Sequence, residues 1–239
     1  MKSRGGHWPT SVFFGLQYLL REYVVGRVVT RSGIEEADEF FSQQLGDRTL
    51  FNREGWEYVL RVHGGRLPVR IKAVPEGSPV WNRNVLMTIE NTDPHVAWLT
   101  NYLETLLVQV WYPTTVATQS REMKRIWHEY LVRTGDPSLI AFKLHDFGYR
   151  GSTSDESAAL GGAAHLVNFT GTDNLAGCEL AMRYYRAQMP GFSIPAAEHS
   201  TITAWGRERE LDAYANMLHA YPDSPLVAVV SDSYDIFYA

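Results

Sequence analysis

The chain has 239 residues and 27.1 kDa, 45% hydrophobic and 13% aromatic, apolar material enough for one large domain or two small ones. A formal net charge of -5 and a pI near 5.9 argue against a nucleic-acid partner, which selects a basic face. The single cysteine, Cys178, excludes an internal disulfide and points to a reducing compartment.

The first residues, Met1 to Trp8, lack the apolar core of a signal peptide. Thr10 or Ser11 is placed to cap a helix carrying Phe13, Leu16, Leu19, Leu20 and Tyr23 at helical spacing. Ser32, with Glu35 three residues on, reads as the capping box of a second helix. The period then changes. Leu67–Val74 and Val85–Ile89 are β-type runs, separated by Pro75-Glu76-Gly77-Ser78-Pro79 and Asn82-Arg83-Asn84, which predicts a small antiparallel unit. Trp98–Trp111 and Arg121–Arg133 return to helix. The most apolar stretch, Trp98–Thr118, holds Asn101, Glu104, Gln109 and Pro113, which a membrane span of about 20 residues would not carry. The expectation is a soluble, cytoplasmic protein with no membrane or nucleic-acid partner.

From about residue 140 strands and helices alternate. Ala141–Asp146, His165–Phe169, Phe192–Pro195 and Leu226–Val230 read as strands; Ser154–Ala164, Asn174–Gln188 and Thr201–Ala220 read as helices. Such alternation implies parallel strands with crossover helices. A closed eight-stranded barrel takes about 250 residues by itself. The predicted fold is therefore α/β: residues 1–139 form a mixed helical and small antiparallel β region, and residues 140–239 an incomplete parallel α/β barrel.

In parallel α/β folds functional groups gather at the carboxyl ends of the strands. Asp146, Phe147, Gly148, Tyr149 and Arg150 follow the first predicted strand, and Gly171, Thr172 and Asp173 the second. Glu198, His199 and Ser200 follow the third, and Ser231, Asp232, Ser233 and Asp235 the fourth. An ionisable residue at every strand end points to one shared site. Arg150, entering Gly-Ser-Thr and then a helix, suits a phosphate or diphosphate, against the alternative of a surface ion pair. His199 reads as a general acid/base or a nucleophile, or as a histidine satisfied at a helix start. Asp173 taken alone reads as a helix cap. Asp232 reads as a metal ligand through phosphate oxygens, a partner orienting His199, or a cap. His145 and His165 flank strands, where core or rim positions are the default. No CxxC, HExxH, GxGxxG or Walker-type loop occurs, so zinc-hydrolase, dinucleotide and P-loop chemistry lack their main signal.

Several strings together resemble the nicotinamide phosphoribosyltransferase family of type II phosphoribosyltransferases. They are Ser3-Arg4-Gly5-Gly6, Val12-Phe13-Phe14-Gly15-Leu16-Gln17-Tyr18, Ile71-Lys72-Ala73-Val74-Pro75-Glu76-Gly77, Glu90-Asn91-Thr92-Asp93-Pro94 and Thr115-Val116-Ala117-Thr118. Lys143-Leu144-His145-Asp146-Phe147-Gly148-Tyr149-Arg150-Gly151 follows, then Ala164–Phe169, Gly171-Thr172-Asp173, Pro195–Gly206 and Ser231-Asp232-Ser233-Tyr234-Asp235. The strings run through essentially the whole chain in one order.

The resemblance implies transfer of a phosphoribosyl group from 5-phosphoribosyl 1-diphosphate to nicotinamide, giving nicotinamide mononucleotide and diphosphate. It implies assistance by Mg2+, and ATP hydrolysis coupled through a phosphohistidine. Carried over by motif, Phe147 stacks on the pyridine ring, Arg150 grips diphosphate and Asp173 accepts a hydrogen bond from the carboxamide. His145 joins the substrate-binding residues through its place in the same string. His199 resembles the phosphorylated histidine, with Glu198 beside it and Asp232 as its orienting partner. The family's Asp-Ser-Tyr-Lys, whose tyrosine stacks on the base in the partner subunit's site, and its Arg-Pro-Asp-Ser-Gly, Gly-Asp-Gly and Gly-Ser-Gly-Gly strings do not occur in these residues. The resemblance therefore implies a homodimer or a complementing C-terminal chain, and impaired activity of this chain alone. Two alternatives stand beside it: a relative using nicotinate or another pyridine base, and a non-catalytic truncated or split-gene subunit.

Overall fold

The computed structural model describes residues 1–237 and 239. They fall into two compact units, Met1–Gly191 and Phe192–Ala239.

The first unit opens with strand β1 (Thr10–Val12), not with the helix expected from Thr10 or Ser11. Phe13 and Phe14 stay extended and buried, and Gly15 at φ 103° marks the start of α1 (Leu16–Tyr23). A side chain at Gly15 would meet the Pro113 ring at 2.3 Å, so only glycine fits that turn. Helix α2 (Arg31–Leu45) is capped by Thr30, whose side chain accepts from the Gly33 N–H at 3.0 Å. Thr30 takes the cap in place of Ser32 because its backbone is extended (φ -122°, ψ 160°), as a capping residue requires. Helix α3 (Arg53–His63) follows.

The antiparallel unit forms as expected. Strand β2 (Val69–Ala73) and β4 (Met87–Asn91) pair from Val69↔Asn91 to Ala73↔Met87, while β3 (Pro79–Trp81) pairs with β1. Just past β4, Asp93 accepts hydrogen bonds from Tyr58 (3.0 Å) and its carboxylate meets His63 (2.8 Å) and His95 (2.9 Å), tying α3 to the segment before α4 (Leu99–Leu107). The next helix, α5 (Trp111–Thr134), is 24 residues long and takes in the predicted Arg121–Arg133 helix. Pro113 is tolerated in its first turn, where a missing N–H leaves no bond unmade.

The Val12–Tyr18 segment is held by side chains from elsewhere in the chain. Thr118 Oγ1 accepts from the Val12 N–H at 2.8 Å, and Thr114 Oγ1 accepts from Phe14 N–H at 3.2 Å. Glu76 accepts from the Gly15 and Gln17 N–H groups, each at 2.6 Å, and from the Tyr185 hydroxyl at 2.7 Å. Helix α1 has no cap from its own N-terminal side chains, so the Glu76 carboxylate supplies it across the fold. Burial and this carboxylate push the Tyr185 hydroxyl far above its usual range.

The alternating region differs from the expected pattern. Strand β5 (His145–Asp146) and β6 (Gly171–Thr172) form a parallel pair of two residues each, with helix α6 (Asp155–His165) between them. The predicted strand His165–Phe169 is instead the end of α6 and a turn. Ala158, Gly162, Ala163 and Ala164 bury a small-residue helix face, and the helix runs on to His165. Before β5, the expected strand Ala141–Asp146 begins as a 310 turn, Pro137–Phe142, capped by Asp136. Helix α7 (Leu175–Tyr185) follows β6. One core, including Phe13, Leu19, Val59, Leu99, Leu107, Ala117 and Ala164, joins these elements.

In the second unit the expected strands at 192–195 and 226–230 shrink to one parallel bridge, Ala196↔Ala228. The predicted helix Thr201–Ala220 divides into α8 (His199–Thr203) and α9 (Glu210–Ala220), since Gly206 at φ 83° interrupts it. Ala197, Ile202 and Ala213 form the centre of a small core here. The architecture is mixed α/β with small antiparallel and parallel pairs, and the described residues form no closed barrel. Among them no helix is long and apolar enough to cross a membrane.

Removing the Glu76 carboxylate leaves two backbone donors and a buried hydroxyl unpaired. Glu76→Ala is expected to lower stability by about 2 kcal/mol, read as a lower urea midpoint followed by tryptophan fluorescence. An unchanged midpoint would remove Glu76 from this role.

Candidate functional site

The parallel pair β5–β6 brings two of the sequence-predicted regions together. Its register sets His145 opposite Gly171 and Asp146 opposite Thr172, and the Asp173 N–H donates to the Asp146 carbonyl at 2.7 Å. The next side chains out from the pair therefore meet: His145 Nε2 lies 3.1 Å from Asp173 Oδ1. Phe147 packs its ring against His145 at 6.4 Å between centroids and 27° between planes. It is 73% exposed, unusual for a phenylalanine. Asp173 keeps 41% of its side-chain surface exposed.

The turn after β5 is held by Asp146. Its Oδ1 accepts from the Gly148 N–H at 2.9 Å, and its Oδ2 accepts from Asn174 Nδ2 at 3.1 Å. Arg150 lies exposed in the 310 turn Tyr149–Gly151. The following α6 begins at Ser154, which exchanges capping hydrogen bonds with Ser157, and carries Asp155 and Glu156 in its first turn. Those two carboxylates disfavour an anion directly at the helix end.

Behind the pair lies a cleft of about 340 Å3, lined among others by Tyr112, Ser120, His145, Asp146, Gly161, His165 and Asn174. His165 is buried there. Its Nε2 faces the Gly171 carbonyl at 3.3 Å and must carry the proton, which leaves Nδ1 to accept from the Ser120 hydroxyl at 3.4 Å. Phe169 stacks on the ring at 5.2 Å and 12°. Burial holds the His165 imidazole below the usual histidine range. This satisfied, neutral histidine supports β6 and matches the default reading of its position.

In the second unit, His199 Nε2 lies 2.9 Å from Asp232 Oδ1, with both side chains more than half exposed. Asp232, the residue that the sequence reading set beside His199, lies within hydrogen-bond distance of it. Ser200 Oγ donates to Glu198 Oε1 at 2.6 Å, and Thr201 Oγ1 accepts from the Glu198 N–H at 3.1 Å, fixing the start of α8. The Ala196↔Ala228 bridge brings the Glu198–His199 and Ser231–Asp232 segments side by side. An exposed imidazole oriented by a carboxylate through one nitrogen leaves Nδ1 open to an electrophile.

Asn174 and Tyr112 were not singled out by sequence reasoning. Asn174 was legible only as the start of a helix, and Tyr112 only as part of an apolar run. Their polar atoms meet this site through folding.

Residues 1–71 match the family model described as nicotinamide phosphoribosyltransferase, N-terminal domain. Residues 142–239 match that of the nicotinate phosphoribosyltransferase (NAPRTase) family. Both models describe phosphoribosyltransferases. The chain is 53% identical to the nicotinamide phosphoribosyltransferase of Xanthomonas campestris pv. campestris (strain 8004), over 100% of this chain and 51% of that relative. It is 33% identical to the nicotinamide phosphoribosyltransferase of Acinetobacter baylyi (strain ATCC 33305 / BD413 / ADP1), over 95% of this chain and 46% of that relative. With that of Mycoplasma pneumoniae (strain ATCC 29342 / M129 / Subtype 1) it shares 33% identity over 72% of this chain and 37% of the relative. The chain is thus similar throughout to nicotinamide phosphoribosyltransferases. It spans about half the length of the curated relatives it matches.

His165 provides a pH test of this geometry. A histidine whose folded pKa lies below its unfolded one stabilises the fold at neutral pH, and that contribution falls as pH drops below about 6.5. In an NMR titration the His165 ring is expected to stay neutral at pH values where an unperturbed histidine is already protonated. A His165 midpoint at or above 6.5 would contradict the buried, carbonyl-bonded ring.

Proposed function

We propose that this chain carries the base-recognition and phosphohistidine elements of a nicotinamide phosphoribosyltransferase. The reaction joins nicotinamide to 5-phosphoribosyl 1-diphosphate and releases nicotinamide mononucleotide and diphosphate. The observation that carries the reading is the Asp173 carboxylate beside His145 and the exposed Phe147 ring, at the end of β5–β6. Phe147 offers a stacking face to a pyridine ring, and Asp173 accepts a hydrogen bond from a carboxamide N–H. The same carboxylate repels nicotinate, so base choice follows from an unpaired charge in the wrong complex. Departure of diphosphate builds positive charge on the ribose, and catalysis rests on holding base and leaving group in line. Arg150 is assigned to the diphosphate.

His199 is assigned as the acceptor of a phosphoryl group from ATP, with Asp232 orienting the ring and Glu198 beside it. Mg2+ would supply charge neutralisation for the phosphates. Asp232 uses Oδ1 for His199, and its exposed carboxylate leaves Oδ2 for an ion carried on phosphate oxygens. We further assign β5–α6–β6–α7 as the opening of an α/β barrel, a reading supported by the parallel pair with its crossover helix. A homodimer and a cytoplasmic location complete the proposal.

The match of residues 142–239 to the nicotinate phosphoribosyltransferase family favours a second reading, a nicotinate-using relative. Asp173 weighs against it, and one substitution separates the two. Asp173→Asn is expected to shift the ratio of nicotinamide to nicotinate affinity by roughly tenfold to a hundredfold, the worth of a charge-assisted hydrogen bond. Calorimetric titration of both bases into wild type and variant reads it. A constant ratio would take Asp173 out of base recognition.

The third reading, a subunit that needs a complementing chain, rests on charge. The substrate brings a 5-phosphate and a diphosphate, whereas the first-unit residues assigned to it offer the Arg150 guanidinium against the Asp146 and Asp173 carboxylates. Purified chain given nicotinamide, 5-phosphoribosyl 1-diphosphate, Mg2+ and ATP is expected to form nicotinamide mononucleotide far more slowly than about 1 per second. Turnover at or above that rate would show that these residues suffice.

A further inference from the structure

Asn174 is 2% exposed and spends its whole side chain on hydrogen bonds. Its Oδ1 accepts from the Gly177 N–H at 3.2 Å, which caps α7. Its Nδ2 donates in two directions, to the Ala158 carbonyl on α6 at 2.9 Å and to Asp146 Oδ2 at 3.1 Å. Space for this amide is made by glycines. A side chain at Gly162 would meet Asn174 Nδ2 at 2.5 Å, and one at Gly177 would meet the Gly162 backbone at 2.8 Å. A cap needs only the bond to Gly177; the other two join α6, α7 and the end of β5.

The bond to Asp146 is the informative one. Asp146 holds the turn around Phe147 through Oδ1 and the Gly148 N–H, while its carbonyl takes the Asp173 N–H. Phe147 itself is largely exposed and has little packing to fix it. We propose that Asn174 is a positioning residue for base recognition: by fixing the Asp146 carboxylate it sets the Phe147 turn relative to Asp173. This rests on the assignment of Phe147 and Asp173 to the pyridine base. A bidentate carboxylate, pinned by one backbone N–H and one buried amide, has lost the rotational freedom that would let the ring and the carboxamide acceptor drift apart.

Two variants separate this role from capping. Asn174→Ser keeps a residue that caps as well as asparagine but is too short to reach Asp146. The isosteric Asn174→Asp also caps, and sets a carboxylate against a carboxylate. In both, amide hydrogen exchange is expected to leave α7 protected while the Gly148 amide exchanges roughly tenfold faster or more, the loss of one charge-assisted hydrogen bond. Calorimetry is expected to show nicotinamide binding weakened by roughly tenfold, with the nicotinamide-to-nicotinate ratio falling as well. A purely structural role would lower thermal stability and leave that ratio alone. Unchanged Gly148 protection overturns the clamp, and a loosened Gly148 with wild-type affinity and ratio overturns the positioning role. If the wild-type chain binds neither base, the functional assignment fails and the positioning role with it, while the exchange result still decides the clamp.

Discussion

Buried backbone donors that no helix or strand can serve organise the first unit. Residues 12–17 leave a short strand, pass through a left-handed glycine and enter a helix, so the N–H groups of Val12, Phe14, Gly15 and Gln17 turn to side-chain acceptors. Thr118, Thr114 and Glu76 supply the acceptors. Because these come from α5 and from the turn before β3, satisfying one segment fixes the relative positions of three. The strings that carry the family resemblance in this half, Val12–Tyr18, Pro75-Glu76-Gly77 and Thr115–Thr118, are largely the residues that meet in this network. Helix α5, held in this way, presents Tyr112 and Ser120 to the cleft behind β5–β6.

The same accounting governs the candidate site. A parallel pair only two residues long has few ladder bonds, and side chains do what longer strands would do. Asp146 receives Gly148 and Asn174, while His165 donates to Gly171 from behind. Polar groups buried behind the pair are satisfied, while His145, Phe147 and Asp173 in front keep part of their surface exposed. An orphaned buried group would cost more than a ligand bond returns, so any ligand site in front of the pair depends on these inner groups being satisfied.

In the second unit the chemistry rests on a smaller frame. One parallel bridge and a core centred on Ala197, Ile202 and Ala213 carry the His199–Asp232 pair. Exposure suits the role assigned to His199. A histidine that takes and loses a phosphoryl group needs an open nitrogen, and a fixed partner on the other keeps the ring in one orientation.

Much of this protein was legible in its sequence because the signals are local. The β-type runs Leu67–Val74 and Val85–Ile89 marked the antiparallel pair seen at Val69–Ala73 and Met87–Asn91, and the 3.6-residue period marked α4, α5 and α7. Arg150, His199 and Asp232 stood out because ionisable groups cluster where predicted strands end, whereas the roles of His145, Phe147 and Asp173 came from the family resemblance. What the sequence left open depends on partners far along the chain. Whether Thr30 or Ser32 caps α2 was decided by which backbone is extended, and whether His165–Phe169 forms a strand by the packing of α6's small-residue face. Asn174 looked like any helix start, because its use to the site is a bond to Asp146, 28 residues away. Propensity, periodicity and capping act over a few neighbouring residues, whereas the destination of a buried carboxylate's second oxygen is settled only when distant segments are packed together.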